Sequence, residues 1–246
     1  GSSPVAVSAA DMQHAVAPFY LDPREIDSID LTASAETRTD AYWQTGADTI
    51  RRRVQEFYAR LQNSDRNHVA VFALAPIPFL VVLGSSLSNK YPTALFQRHR
   101  DADDWRWKEE GEAVEFKCRL RQEGHDGKKV ALVLSVSGSV PEADYEEALD
   151  DGFTVYEVVS HRAQPSFDLL GTQANLEAFR SQYRATLQLI VATHPSAREV
   201  HLFPAVPAPA AVAVGLDWMR KTHPALVLYD KAGAAGFEKV MDIRDD

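Results

Sequence analysis

FALAPIPFLVVLG, residues 72–84, is the stretch on which the reading of this chain turns. An apolar run, a corner with two prolines and a second apolar run predict a buried strand, a sharp turn and a helix. In an open α/β sheet such a corner stands at the carboxyl end of a strand, where ligands meet the sheet. Glycine is frequent at those corners, and this one has none before Gly84.

The pattern returns at residues 203–215 as FPAVPAPAAVAVG. Both copies read F-x-x-x-P-x-P-x-x-x-x-x-G. Phe72, Pro76, Pro78 and Gly84 match Phe203, Pro207, Pro209 and Gly215 at a constant offset of 131. After one inserted residue the match is expected to continue, with Pro92 leading into TALFQR and Pro224 into ALVLYD. The chain therefore reads as two copies of one strand–corner–helix–strand unit. Each apolar run fits a strand buried on both faces. Proline at the first helical position fits because its φ is preset and an N–H there has no intrahelical partner. Gly84 and Gly215 are expected where helix meets sheet or helix meets helix.

Two such halves about a pseudo-twofold axis would bring their strand-end crevices over one composite pocket. Ala75, Pro76, Ile77 and Pro78, with Pro204, Ala205 and Pro207, would form its floor, and Phe203 would also contact the ligand. A ligand with its own approximate repeat, a cyclic di- or trinucleotide, would suit it. Neither G-x-G-x-x-G nor G-x-x-x-x-G-K-[ST] occurs, so no dinucleotide cofactor or Walker-type site is supported.

Around the corners stand residues suited to bases and phosphates. QRHR (Gln97, Arg98, His99 and Arg100) and WRW (Trp105 and Trp107) combine guanidinium forks with stacking rings. In the second copy the equivalent strand ends at Tyr229 and Lys231. Ser135, Ser137 and Gly138 close one buried strand, and SHRAQ, with Arg162 and Gln164, follows another. Ordinary turn chemistry explains each of these alone. Trp107→Ala is expected to weaken nucleotide binding without unfolding the domain.

The rest of the chain frames these units. Residues 1–38 read as an irregular arm opening on a tag-like Gly1-Ser2-Ser3. Residues 39–150 read as a first half and 151–246 as a second. Apolar steps of three and four predict helices over 39–62 and 171–193. Strands are expected at 68–74, 93–99, 113–122, 129–137, 153–160, 199–203 and 225–229. Those at 113–122 and 129–137 have hairpin character across the turn-rich EGHDGK, and the acidic PEADYEEALDD predicts a short solvated helix. Helices alternating with strands predict an α/β protein with mainly parallel sheets.

The 246 residues are 45% hydrophobic with a net charge of −9, which argues against a general DNA-binding surface. One cysteine, Cys118, permits no internal disulfide and fits a cytoplasmic protein. No apolar run reaches the roughly 18 residues of a membrane span. The outline of a metal-dependent nuclease exists in Glu115 and Lys117 with Asp101, Asp103 and Asp104 ahead of them. Strict alternation explains the same letters as a half-buried strand, with Glu115, Lys117, Arg119 and Arg121 on its charged face. Histidine and cysteine spacings give no zinc site, no G-x-S-x-G elbow occurs, and Cys118 sits on the apolar side of its strand.

FALAPIPFLVVLGSSL with NKYPTALFQRHRD, the WRW after it, VALVLSVSGSV, and HLFPAVPAPAAVAVGLDWM with LVLYDK together resemble a SAVED domain, the sensor of bacterial CBASS anti-phage systems. The resemblance covers residues 40–240. It implies fused CARF-like Rossmann units and no catalysis or cofactor in this fragment. It implies binding of a cyclic oligonucleotide, such as a cyclic GMP-AMP, and ligand-driven homo-oligomerisation. A fused effector would be switched on, with an HNH endonuclease the first expectation for a parent of which this is the carboxy-terminal domain. A ring nuclease that degrades its own ligand is the remaining enzymatic alternative.

Overall fold

The computed structural model describes residues 7–22, 26–31, 38–99, 104–231 and 236–244. The first strand–corner–helix–strand unit is built from β1 (Val69–Phe72), α3 (Ile77–Ser86) and β2 (Thr93–Phe96), with β1 and β2 parallel in a two-stranded sheet. Ahead of it run α1 (Ala9–Val16), inside the arm expected to be irregular, and α2 (Asp40–Leu61). A capping box starts α1: Ser8 Oγ accepts from the Asp11 N–H, and the Asp11 carboxylate accepts from the Ser8 N–H. Trp43, Ile50, Val54 and Leu61 give α2 its buried stripe.

A six-stranded sheet follows in the order β3-β5-β4-β6-β7-β8. Its members are β3 (Phe116–Gln122), β4 (Lys129–Ser135), β5 (Thr154–Ser160), β6 (Glu199–Ala205), β7 (Ala225–Lys231) and β8 (Phe237–Ile243). The four central strands are parallel and the two edges antiparallel. Helix α4 (Glu142–Glu146) follows β4, α5 (Gln173–Thr193) links β5 to β6, and α6 (Ala208–Asp217) links β6 to β7. Alternate residues of the central strands enter two cores. Val130, Leu132, Val158, Leu202 and Leu228 pack in the core that holds α2, α3, α5 and α6. Ala131, Val133, Val155, Phe203 and Tyr229 pack with Tyr145 of α4 on the other face.

Three expectations are corrected here. β3 and β4 form no hairpin, because β5 lies between them. The cause is burial: β4 is apolar on both faces and needs a strand on each side, whereas amphipathic β3 suits an edge. β7 is not the last strand, since β8 covers its edge. Pro78 and Pro209 are the second helical residues, with Pro76 and Pro207 as N-caps, an equally tolerant place because the first four N–H groups of a helix lack intrahelical partners. The expected boundary at residue 150 falls between β4 and β5, which are paired neighbours.

The repeat is a symmetry of the packing. A Cβ on Gly84 would lie 1.9 Å from the Val212 carbonyl oxygen and 2.8 Å from the Leu216 nitrogen. One on Gly215 would lie 2.0 Å from the Val81 carbonyl oxygen and 2.6 Å from the Ser85 nitrogen. Val212 and Leu216 are the offset-131 counterparts of Val81 and Ser85, so each helix presents the other with the same surface. That isologous contact is the signature of a twofold relation. Phe72 stacks on Phe96 at 4.5 Å between ring centroids, as Phe203 stacks on Tyr229 at 4.3 Å. Leu95 pairs with Val71 and Leu228 with Leu202. The offset thus grows from 131 to 133, two inserted residues rather than one, which makes Tyr229 the counterpart of Phe96 and not of Gln97.

Half-buried His201 and buried His223 give this core a pH dependence. His201 Nδ1 lies 2.9 Å from the Tyr229 hydroxyl, and His223 Nδ1 accepts the Met219 N–H at 3.0 Å. Burial lowers both pKa values from the ordinary 6.5. The unfolded chain then binds protons first as pH falls, so stability is full above about 6.5 and declines below it. Tm should fall between pH 7.5 and 5.5, and His201→Gln with His223→Gln should flatten that slope. An unchanged slope in the double variant would place the dependence elsewhere.

Candidate ligand cleft at the strand carboxyl ends

Connections leave β4 and β6 in opposite directions: β4 is followed by β5 on one side, and β6 by β7 on the other. These neighbours therefore form the topological switch point, and the crevice beyond their carboxyl ends is where an open α/β sheet receives ligands. Ser135, Ser137 and Gly138 leave β4 there, and Pro204, Ala205 and Pro207 leave β6. The two loops are tied together, since the N–H groups of Val136 and Ser137 both donate to the Ala205 carbonyl at 2.9 Å. The Ser166 N–H donates to the Val136 carbonyl, drawing in the loop after β5. A Cβ on Gly138 would meet nothing within 4 Å, so this loop faces open space.

Beside the crevice lies a cleft of about 410 Å³ over β3, β5 and the end of β4. Lys117, Arg119 and Arg121 of β3 line one wall, and Arg162 and Gln164 the loop opposite. Glu157 of β5 organises its floor with a side chain only 3% exposed. The Ser135 hydroxyl donates to its Oε1 at 2.5 Å, Arg119 Nε donates to its Oε2, and Arg121 Nη1 lies 3.7 Å from Oε1. Arg121 is further held by the Val140 carbonyl at 2.8 Å and by the face of the Tyr145 ring at 5.1 Å. Four cationic side chains facing one carboxylate leave a net positive cleft in an acidic protein, and arginine forks match phosphate oxygens.

The structure gathers only part of the expected set. Ser135, Arg162 and Gln164 line the cleft, while Ser137, Gly138 and Ala205 border the adjoining crevice. Neither corner lines the cleft itself. Ala75, Pro76 and Ile77 stay half-buried at the first corner, Pro78 is buried in α3, and Pro207 caps α6. Phe203 and Pro204 are buried within β6. Trp105 is 3% exposed against Phe72, and Tyr229 is 4% exposed against Phe203, so both rings are consumed by packing. Trp107, half-buried, donates its indole N–H to the Leu95 carbonyl at 2.8 Å. Gln97 and His99 are buried beyond β2, Arg98 is half-buried, and Lys231 pairs with Asp144 of α4 at 2.6 Å. Arg100, Asp101 and Asp103 lie outside the described residues.

Arg119, Arg121 and Glu157 were not among the expected site residues, and Lys117 entered only through the outline of a nuclease. Their signal was the charged face of β3, which alternation alone explains as solvent-facing; the partner across it becomes visible only when Arg119 pairs with Glu157 in register. Cys118 lies on the other face, and burial raises its thiol pKa, which suits a packing residue. Among the described residues no three His, Cys, Asp or Glu side chains gather as a metal site, and no helix is long and apolar enough to cross a membrane.

A parallel sheet with a basic cleft at its switch point, joined to a second copy of its strand–helix unit, defines a ligand-binding module of the doubly wound α/β class. The chain belongs to the SAVED family: the model of the SMODS-associated and fused to various effectors sensor domain matches residues 50–243. The fold is similar to that of the Acinetobacter baumannii Cap4 SAVED/CARF-domain containing receptor with the cyclic trinucleotide 2′3′3′-cAAA, at TM-score 0.57 and 15% identity over 87% of this chain and 46% of that one. The same receptor with 3′3′3′-cAAA gives TM-score 0.55 and 14% identity over 85% and 45%. The Moraxella osloensis Cap4 receptor gives 0.50 and 16% over 84% and 43%. This chain thus spans less than half the length of those receptors. None of the curated proteins matches it.

Proposed function

We propose that this domain senses a cyclic di- or trinucleotide, bound in the crevice between β4 and β6 with its phosphates turned toward the basic cleft. The observation that carries the reading is the continuity of the two: Ser135 ends β4 at the crevice and is bonded to the Glu157 that holds the cleft arginines. Arg119, Arg121 and Arg162 would meet phosphate, and the open backbone at Ser137 and Gly138 would admit the ring. The two Cap4 receptor structures that contain cyclic trinucleotides support the ligand class. In this reading ligand binding drives self-association and activates an effector fused to the sensor, and the fragment performs no catalysis itself. A cytoplasmic setting suits that role.

Calorimetry against a panel of cyclic di- and trinucleotides tests the proposal. At least one member should bind, and Arg162→Ala should weaken it about tenfold, the loss expected for one charge-assisted contact of roughly 1.5 kcal/mol. Arg162 is exposed, so that variant should keep the wild-type Tm. No binding by any member would sink the reading, and ligand recovered cleaved after long incubation would turn it into a ring nuclease.

A further inference from the structure

A second cleft, of about 530 Å³, opens at the opposite end of the molecule. Its position follows from the crossover: α3 leaves the carboxyl end of β1 and ends at Ser86, next to the amino end of β2. Arg220 approaches from the same end of the second unit, between α6 and β7. Arg51, Lys90 and Arg220 converge on the cleft, and among the described residues no Asp or Glu lines it. In a chain of net charge −9 such a one-signed concavity is a focused field rather than an average surface.

The three cations are differently held. Arg51 shares an exposed pair with Asp48 at 3.0 Å, which solvent screening weakens. Arg220 donates to the Ser85 backbone carbonyl at 3.0 Å rather than to a carboxylate, and no carboxylate among the described residues pairs with Lys90. The floor is firm. Tyr58 and Tyr91 stack at 5.6 Å and 21° between ring planes, and the Tyr58 hydroxyl accepts the Ser88 N–H at 3.0 Å, fixing the loop that carries Lys90. A rigid floor beneath cations that no buried carboxylate neutralises lowers the ordering cost of binding an anion.

We propose that this cleft is a second ligand site, distinct from the strand-end crevice, that takes a small polyphosphate such as the phosphate chain of a nucleotide. Lys90 and Arg220 grip the phosphates, Arg51 closes the rim, and the Tyr91 ring borders the space for an attached base or sugar. The volume lies within the range of small-molecule sites. Binding should weaken with salt, because the three cations are solvent-accessible.

Titration of the intact domain with inorganic pyrophosphate and with ATP, at low and at physiological ionic strength, tests the site. Because anions can also enter the strand-end cleft, two variants are compared: Lys90→Gln with Arg220→Gln, and Arg119→Gln with Arg162→Gln. We expect the first pair to weaken pyrophosphate binding at least tenfold at unchanged cyclic-nucleotide affinity, and the second to leave a pyrophosphate event intact. Equal binding by wild type and the first pair overturns the proposal, as does loss of all pyrophosphate binding in the second. Should the first pair alter only self-association, the cleft is a protein contact and the proposal falls. Failure of the cyclic-nucleotide panel would leave this result standing, since the two sites share no residue.

Discussion

Gly84→Ala and Gly215→Ala should each lower Tm by roughly 4–8 °C. In an exposed helix interior the same change stabilises by about 1 kcal/mol, because alanine is the better helix former. Here the added methyl would sit about 2 Å from a backbone oxygen of the facing helix, and backbone cannot rotate aside as a flexible side chain can. Overpacking of this kind costs about 3 kcal/mol, which outweighs the propensity gain. At 2–4 °C per kcal/mol for a chain of this size the stated loss follows. The pseudo-twofold contact adds a sharper demand: the two losses should be similar, and the double variant should lose less than their sum, since separating α3 and α6 once relieves both clashes. A neutral or raised Tm for either variant would disprove the close crossing.

Glu157→Ala should cost about 3 kcal/mol, whereas Glu157→Gln should cost well under half of that. Removing the carboxylate leaves the Ser135 hydroxyl and the poorly exposed Arg121 guanidinium facing a void, and stripping one partner from a buried charge cluster is among the most expensive single changes. Glutamine keeps an oxygen for Ser135 and fills the same volume. Urea unfolding of both variants reads the difference; equal costs would mean that the carboxylate's charge beside Arg119 and Arg121, not its volume or its bond to Ser135, holds the floor. In the proposed sensor Glu157 is a positioning residue, so Glu157→Gln should change cyclic-nucleotide affinity while the far cleft still binds pyrophosphate.

The cleft explains why the site was harder to read than the fold. Lys117, Arg119 and Arg121 announce only a charged strand face, a pattern shared by any half-exposed strand. In sequence Trp105 and Tyr229 suit stacking platforms, because aromatic residues beside basic ones compose nucleotide sites as readily as they compose cores. Which use prevails depends on neighbours distant in sequence: Phe72 for Trp105, Phe203 for Tyr229, Glu157 for Arg119.

By itself the sequence determined the duplication, the strand–corner–helix units and the glycines at which they meet. These are local or periodic properties: proline presets φ, alternation sets faces, and a missing side chain marks a close approach. Tertiary structure alone decided that β5 inserts between β3 and β4, that the switch point falls between β4 and β6, and that the β3 cations converge on Glu157. Strand order and cleft shape depend on pairings between segments dozens of residues apart, which no local pattern encodes. FALAPIPFLVVLG therefore specified a helix crossing, and the ligand cleft arose where other strands end.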